Sequence, residues 1–101
     1  MFVRSDRRMI KVTYTDIYFI ESYSDYIKIH LKNETIITRE TISAIEAKLP
    51  KGNFLRIHRS FIVALSKIAS FTNEQVVIKK TSLTISRSYK GEVLKVLKKF
   101  Q

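Results

Sequence analysis

Apolar residues recur at every second position along much of this chain, in short runs rich in Ile, Val, Tyr, Phe and Thr. That period suits strands far better than helices. In Asp25–Leu31 the alternation is clean, with Ile27, Ile29 and Leu31 on one face and Tyr26, Lys28 and His30 on the other. Met9–Thr15 reads as one strand and Asp16–Ser22 as a second. Lys32-Asn33-Glu34 reads as a turn from which Thr35–Thr38 pairs back. Phe54–His58 is again strand-like. Further on, Ser66–Thr72 and Gln75–Lys79 flank the two-residue turn Asn73-Glu74, and Lys80-Thr81 divides off Ser82–Ser86, so a three-strand meander is predicted. Asp16–Leu31 and Ser66–Ser86 are therefore expected to be strand.

The period changes twice. Ile42, Ile45 and Leu49 recur at helical spacing with Thr41 placed to cap, which predicts a short helix over Thr41–Leu49 stopped by Pro50 and Gly52. At the C-terminus, Ser88–Phe100 is predicted to be an amphipathic helix. Tyr89, Val93, Val96, Leu97 and Phe100 form its stripe, opposite Lys90, Lys95, Lys98 and Lys99. Leu55, Ile57, Phe61 and Val63 are expected in the core, with most of the aromatics. At 101 residues the chain is read as a single domain, 1–101, which leaves no room for a sensor or receiver module and can be a piece of a longer regulator.

Charge narrows the function. Residues 1–50 hold 8 Lys/Arg against 7 Asp/Glu, whereas residues 51–101 hold 11 against 2, so +9 of the formal +10 lies in the second half. A disordered basic arm would be poor in apolar residues. Here the cations punctuate strand-like runs, which is the pattern of a polyanion-binding face on a folded scaffold. The absence of cysteine removes disulfides and thiolate metal sites, no run approaches the length of a membrane span, and the N-terminus lacks a signal peptide's apolar stretch. A cytoplasmic location without membrane contact is expected.

Little supports catalysis. His30 and His58 are the only histidines, each in a strand pattern without a spaced carboxylate or second ligand, and no glycine-rich phosphate loop is present. The chain is read as a non-enzyme that needs no metal or cofactor. An RNA- or protein-binding basic β module remains the alternative use of the same face. Single-stranded RNA platforms display clustered exposed aromatics, whereas most aromatics here (Tyr18, Phe19, Phe54, Phe61, Phe71) fall within apolar runs.

Three polar clusters stand where strands end: Ser22-Tyr23-Ser24-Asp25-Tyr26, His58-Arg59-Ser60 and Ser86-Arg87-Ser88-Tyr89. Such residues can reach bases or phosphates while strands hold their register. Each is equally readable as a turn or capping cluster. Lys67, Lys79, Lys80 and Lys90 are the candidate phosphate partners, since an ammonium supplies charge without base geometry.

In order, the segments "DIYFIESYSDYIKIHL", a short helix ending "AKLP", "FLRIHRSFIVALSKI" and "LTISRSYKGEVLKVL" resemble the LytTR DNA-binding domain of LytR/AlgR-type bacterial response regulators over essentially the full length. The resemblance implies an elongated, mainly antiparallel β arrangement with short helices, and sequence-specific binding of double-stranded DNA by loops. It implies loops at the two ends of the interface entering successive major grooves, with a central segment on the intervening minor groove or backbone. Carried onto this chain, the first loop is Ser24, Asp25 and Tyr26, the central contact is Arg59 within His58-Arg59-Ser60, and the last is Arg87 and Ser88 beside Ser86. Direct-repeat sites, a homodimer on DNA and an upstream receiver or sensor domain are implied too. Two departures stand out: some members carry a basic or imidazole group where this chain has Asp25, and some carry two consecutive arginines where it has Arg87-Ser88.

Overall fold

Alternation is realised as ten strands in three antiparallel sheets among residues 1–99, which the structure, a computed structural model, describes. A hairpin of β1 (Phe2–Ser5) and β2 (Arg8–Lys11) opens the chain. The central five-stranded sheet has the order β5-β4-β3-β7-β6. Its strands are β3 (Phe19–Tyr23), β4 (Tyr26–His30), β5 (Thr35–Thr38), β6 (Phe54–His58) and β7 (Phe61–Ala64). The third sheet is the predicted meander, β8 (Ile68–Phe71), β9 (Gln75–Ile78) and β10 (Thr81–Thr84). Helices α1 (Ile42–Lys48) and α2 (Arg87–Lys98) complete it.

The central sheet is covered on both faces, because its strands send alternate side chains into two cores. Ile20, Ile27, Ile29, Ile36 and Ile62 meet Val3 and Val12 of the N-terminal segment and Ile42 and Ile45 of α1. On the other face Phe19, Ile57 and Val63 meet Val76, Ile78, Leu83 and Ile85 of the third sheet and Val93 and Leu97 of α2. Layers stacked this way give a molecule of 41 × 24 × 23 Å, elongated as expected.

Several boundaries differ from the sequence reading. The strand expected over Met9–Thr15 ends at Lys11, and Tyr14–Asp16 forms a 3-10 turn, with the Asp16 amide donating to the Thr13 carbonyl at 2.9 Å. The β1–β2 hairpin was not foreseen. Its turn, Asp6-Arg7, takes positive φ at both residues (52° and 65°) without the Asn or Gly that normally marks such a turn. A second 3-10 turn occupies Leu65–Lys67, so β8 starts later than Ser66. Lys79-Lys80, not Lys80-Thr81, is the β9–β10 turn, since Thr81 already pairs with Ile78. Helix α2 starts at Arg87, one residue early, and Phe100 lies outside the described residues. Thr41 caps α1 as predicted, its Oγ1 accepting from the Ala44 amide at 3.0 Å. No helix among the described residues is long and apolar enough to cross a membrane.

Candidate nucleic-acid interface

Backbone pairing gathers the three polar clusters at one end of the central sheet. The Tyr23↔Tyr26 pair closes β3–β4 with Ser24-Asp25 at its tip and Ser24 at φ 57°. Beside it, the Ser22 amide donates to the Ser60 carbonyl at 2.9 Å, which brings in the β6–β7 turn. The Ser86 amide donates to the Ile57 carbonyl at 3.0 Å and so docks the start of α2 on the far side of β6. The order along this edge is Ser24-Asp25, Arg59-Ser60, Ser86-Arg87. With neighbouring strands about 4.8 Å apart, the first two turns are centred roughly 10 Å from each other and the helix start lies about 7 Å further.

Within the middle cluster the three residues do different things. The His58 Nδ1 accepts from the Ser60 amide at 3.0 Å, and its ring lies 5.1 Å from that of Phe61. Burial, with Arg59 and then Arg56 beside it, lowers the His58 pKa below its ordinary 6.5, so the imidazole is neutral at physiological pH and can act as that acceptor. His58 thus closes the turn, Ser60 is half-buried, and Arg59 is the one exposed side chain of the three.

Arg56 builds the turn from below. Its Nε donates to the His58 carbonyl at 2.8 Å, its Nη2 to the Arg59 carbonyl, and its Nη1 to the Glu46 carboxylate of α1 at 2.7 Å. Its guanidinium also lies over the Tyr89 ring of α2, 5.7 Å from the centroid. With the side chain only 11% exposed, one fork of donors ties α1, the β6–β7 turn and the start of α2 together. Sequence reasoning passed over Arg56, although a signal was present: the F-L-R-I-H alternation puts it on the inward face with Phe54, where a cation must find partners.

Arg87 is exposed and forms no ion pair among the described residues, nor does Arg59. Ser86 precedes α2 without a side-chain capping bond, its Oγ lying 3.4 Å from that of Ser88; the Tyr89 amide donates to the Ser86 carbonyl at 3.1 Å, which leaves the Arg87 and Ser88 amides without a side-chain cap. At the other end of the row Asp25 is not alone: its Oδ2 is 3.1 Å from Arg39 Nη1. Tyr26 is half-buried and Ser24 exposed.

The lysines divide differently from expectation. Lys90 is bound to Glu74 at 2.7 Å and fastens α2 to the β8–β9 turn. Lys79 and Lys80 stand in the β9–β10 turn, which lies by Tyr18 and Lys32 at the opposite end of the central sheet's strands. There the Lys79 ammonium lies 4.5 Å from the Tyr18 ring centroid and donates to the Lys32 carbonyl, while Lys67 lies 4.8 Å from the same ring. Tyr18 precedes β3, so this group is about 20 Å along the strand direction from Ser24. The structure does not bring Lys79 and Lys80 to the row. No group of His, Asp or Glu among the described residues is arranged to hold a metal ion.

Known proteins resemble this chain in sequence and in fold. The profile of the LytTr DNA-binding domain matches residues 7–98. Sensory transduction protein LytT of Bacillus anthracis is 26% identical over 99 residues, covering 92% of this chain and 40% of the relative. LytT of Enterococcus faecalis is 31% identical over 96 residues, 89% of this chain and 40% of the relative. Transcriptional regulatory protein YpdB of Escherichia coli K12 is 35% identical over 63 residues, 62% of this chain and 26% of the relative. The chain therefore spans less than half the length of these relatives. A solved LytTr DNA-binding domain from a Bacillus cereus response regulator superposes with a TM-score of 0.81 at 22% identity, over 96% of this chain and 94% of that one, which shows the shared fold.

Proposed function

The chain belongs to the LytTr DNA-binding domain family, and from that premise we propose that it reads duplex DNA with the edge formed by Ser24-Asp25, Arg59 and Arg87-Ser88. The observation that carries the reading is the convergence of three separate connections on one end of the sheet, with Arg59 and Arg87 exposed and free of acid partners among the described residues. Arg87, at the open N-terminus of a helix, is suited to a guanine edge, where a guanidinium meets O6 and N7 together, with Ser88 and the first amides of α2 on a phosphate. Arg59, central in the row, suits the narrow minor groove, whose potential attracts arginine with little regard to sequence. His58 and Ser60 shape that turn, and Lys90 braces α2 through Glu74. Ser24, Asp25 and Tyr26 form the first loop.

On this reading the domain is the output module of a bacterial transcriptional response regulator. It acts in the cytoplasm without cofactor, as two copies on direct repeats, joined through an upstream domain. Selection from a random duplex pool, followed by anisotropy on the selected and scrambled sequences, tests it. A recovered repeated motif with at least a hundredfold preference over scrambled duplex is expected, of the order found for specific binders. Equal binding to all duplexes, or to single-stranded RNA in preference, rejects it.

A further inference from the structure

One corner of the central sheet is left bare beside the first loop. Cross-strand pairing puts Tyr23 opposite Tyr26, Glu21 opposite Lys28 and Lys28 opposite Ile37, so these side chains share one face while Ile27, Ile29 and Ile36 fill the core behind. At the far end of that face the third sheet approaches, and the His30 ring is stacked on Phe19 at 4.1 Å with its Nε2 2.7 Å from Glu21. Toward the Ser24-Asp25 turn the cover stops. Tyr23 is 54% exposed and Ile37 48% exposed, two of the four large apolar side chains open to solvent among the described residues. The Tyr23 and Tyr26 rings are tilted 5.6 Å apart, the Lys28 ammonium stands 4.5 Å from the Tyr23 centroid, and Arg39 closes the corner, splinted by Asp25.

We propose that Tyr23, Tyr26, Lys28 and Arg39 form a clamp for the sugar–phosphate strand flanking the groove that the first loop enters, so that the duplex is gripped on the sheet face as well as at the loop tips. The inference rests on the DNA-reading edge described above and extends it around the corner. Four features favour a DNA backbone as the occupant. The corner is continuous with the edge through Asp25; it carries two cations, of which only Arg39 has an acid within ion-pair distance; its phenols are donors for phosphate oxygens; and Tyr23 with Ile37 offers an apolar floor for deoxyribose. It also places positive charge at the first loop, where the loop tip itself bears the carboxylate of Asp25. Lys28, held over an aromatic face, gives up little side-chain freedom on meeting a phosphate.

Two substitutions, Tyr23→Ser at an exposed position and Lys28→Gln at a half-buried one, and their combination test the clamp by anisotropy on a duplex with one selected site, on a scrambled duplex and on a duplex with two sites, at several salt concentrations. Thermal melts confirm that each variant is folded. The double variant should bind the selected and the scrambled duplex about tenfold more weakly, as for loss of one charged hydrogen bond. Lys28→Gln should reduce the salt slope by about 0.9, and Lys28→Arg should restore affinity. Unchanged single-site affinity overturns the proposal, and a loss confined to the two-site duplex assigns the corner to a second copy of the chain. Loss of the preference for selected over scrambled sequence, with affinity otherwise kept, makes the corner part of base reading and overturns the clamp. If the unaltered protein shows no preference among duplexes, the DNA reading fails first and takes the clamp with it.

Discussion

Arg59 and Arg87 are alike in charge and exposure, yet on the proposed reading they do different work. Arg87→Ala should cost about 1–3 kcal/mol on the best site and flatten preference at one or two base positions, because a bidentate guanine contact is lost. Arg59→Ala should lower affinity with less change in preference. Binding to a panel of single-base variants separates them, and a large fall in melting temperature with preference intact would make either residue structural. Arg56 couples to the second of these. It donates to the carbonyls on both sides of Arg59 and never reaches the edge itself, so its loss should loosen the turn and make Arg59 ineffective. Arg59→Ala should therefore cost far less in an Arg56→Met background than in the parent, a non-additivity expected of residues that share one network. Arg56→Lys, with three donors on a flexible stem instead of a planar fork, is expected to recover stability more fully than affinity. Additive losses would reduce Arg56 to scaffold.

His58 makes the same turn sensitive to pH. Its folded pKa lies below the ordinary 6.5 because burial and two arginines disfavour the imidazolium. As pH falls below about 6.5 the unfolded chain takes up this proton first, so stability declines from there down to the depressed folded pKa and is fully present above 6.5. Protonation also removes the Nδ1 acceptor from the Ser60 amide. An NMR titration should give an imidazole midpoint below 6.5 with the Ser60 amide shift following it, and His58→Gln should abolish that part of the acid sensitivity of the melting temperature. A midpoint above 6.5 would contradict the assignment.

Among the elements, the ones legible in the sequence are those whose pattern and turn chemistry agree. Strands β4, β5, β9 and the caps of α1 follow from alternation, from the Asn73-Glu74 turn, where Thr72 Oγ1 accepts from the Glu74 amide at 3.1 Å, and from Thr41. The loop clusters at Ser24-Asp25, Arg59 and Arg87 could be named from motif resemblance, but their meeting on one edge depends on non-local bonds such as Ser22 to Ser60 and Ser86 to Ile57, which no local pattern encodes. The bulge between Arg56 and His58, which sets His58 opposite Phe61, was equally invisible. The β1–β2 hairpin was missed because its turn breaks the residue rule. Asp6 and Arg7 both occupy left-handed conformations; aspartate tolerates this, but at Arg7 it costs about 1–2 kcal/mol, and the fold holds the turn by burying Val3 beneath the hairpin. Arg7→Gly should accordingly stabilise the protein by roughly 0.5–1 kcal/mol, the relief of strain less the glycine's greater entropy in the unfolded chain. A denaturant midpoint that falls instead of rising would show that the arginine side chain is doing something the backbone angle does not reveal.

Across the whole molecule, charge and contact are separate quantities. The second half of the chain carries +9, but Lys67, Lys79 and Lys80 sit about 20 Å from the first loop, beyond the screening length of roughly 8 Å at physiological salt and within the 30 Å that applies at 0.01 M. A straight duplex on the loop edge has four cations against it, Arg59 and Arg87 in its grooves and Arg39 and Lys28 on its backbone, so if each displaces about one counterion log K should fall against log[salt] with a slope near −4. The remote lysines then act through the field, raising the rate of encounter without holding the complex. Lys80→Ala is the discriminating variant. Its affinity should lie within about twofold of the parent at 0.15 M salt, with any loss appearing only at 0.01 M and residing in the association rate. Arg87→Ala, in contrast, should lose affinity at both salts through faster dissociation. Stopped-flow association and dissociation rates on one duplex separate the two. If Lys80→Ala instead lowered affinity at 0.15 M through the off-rate, equally for selected and scrambled sequences, the β9–β10 turn would be in direct contact with phosphate, and the duplex would have to wrap up the side of the molecule to reach it.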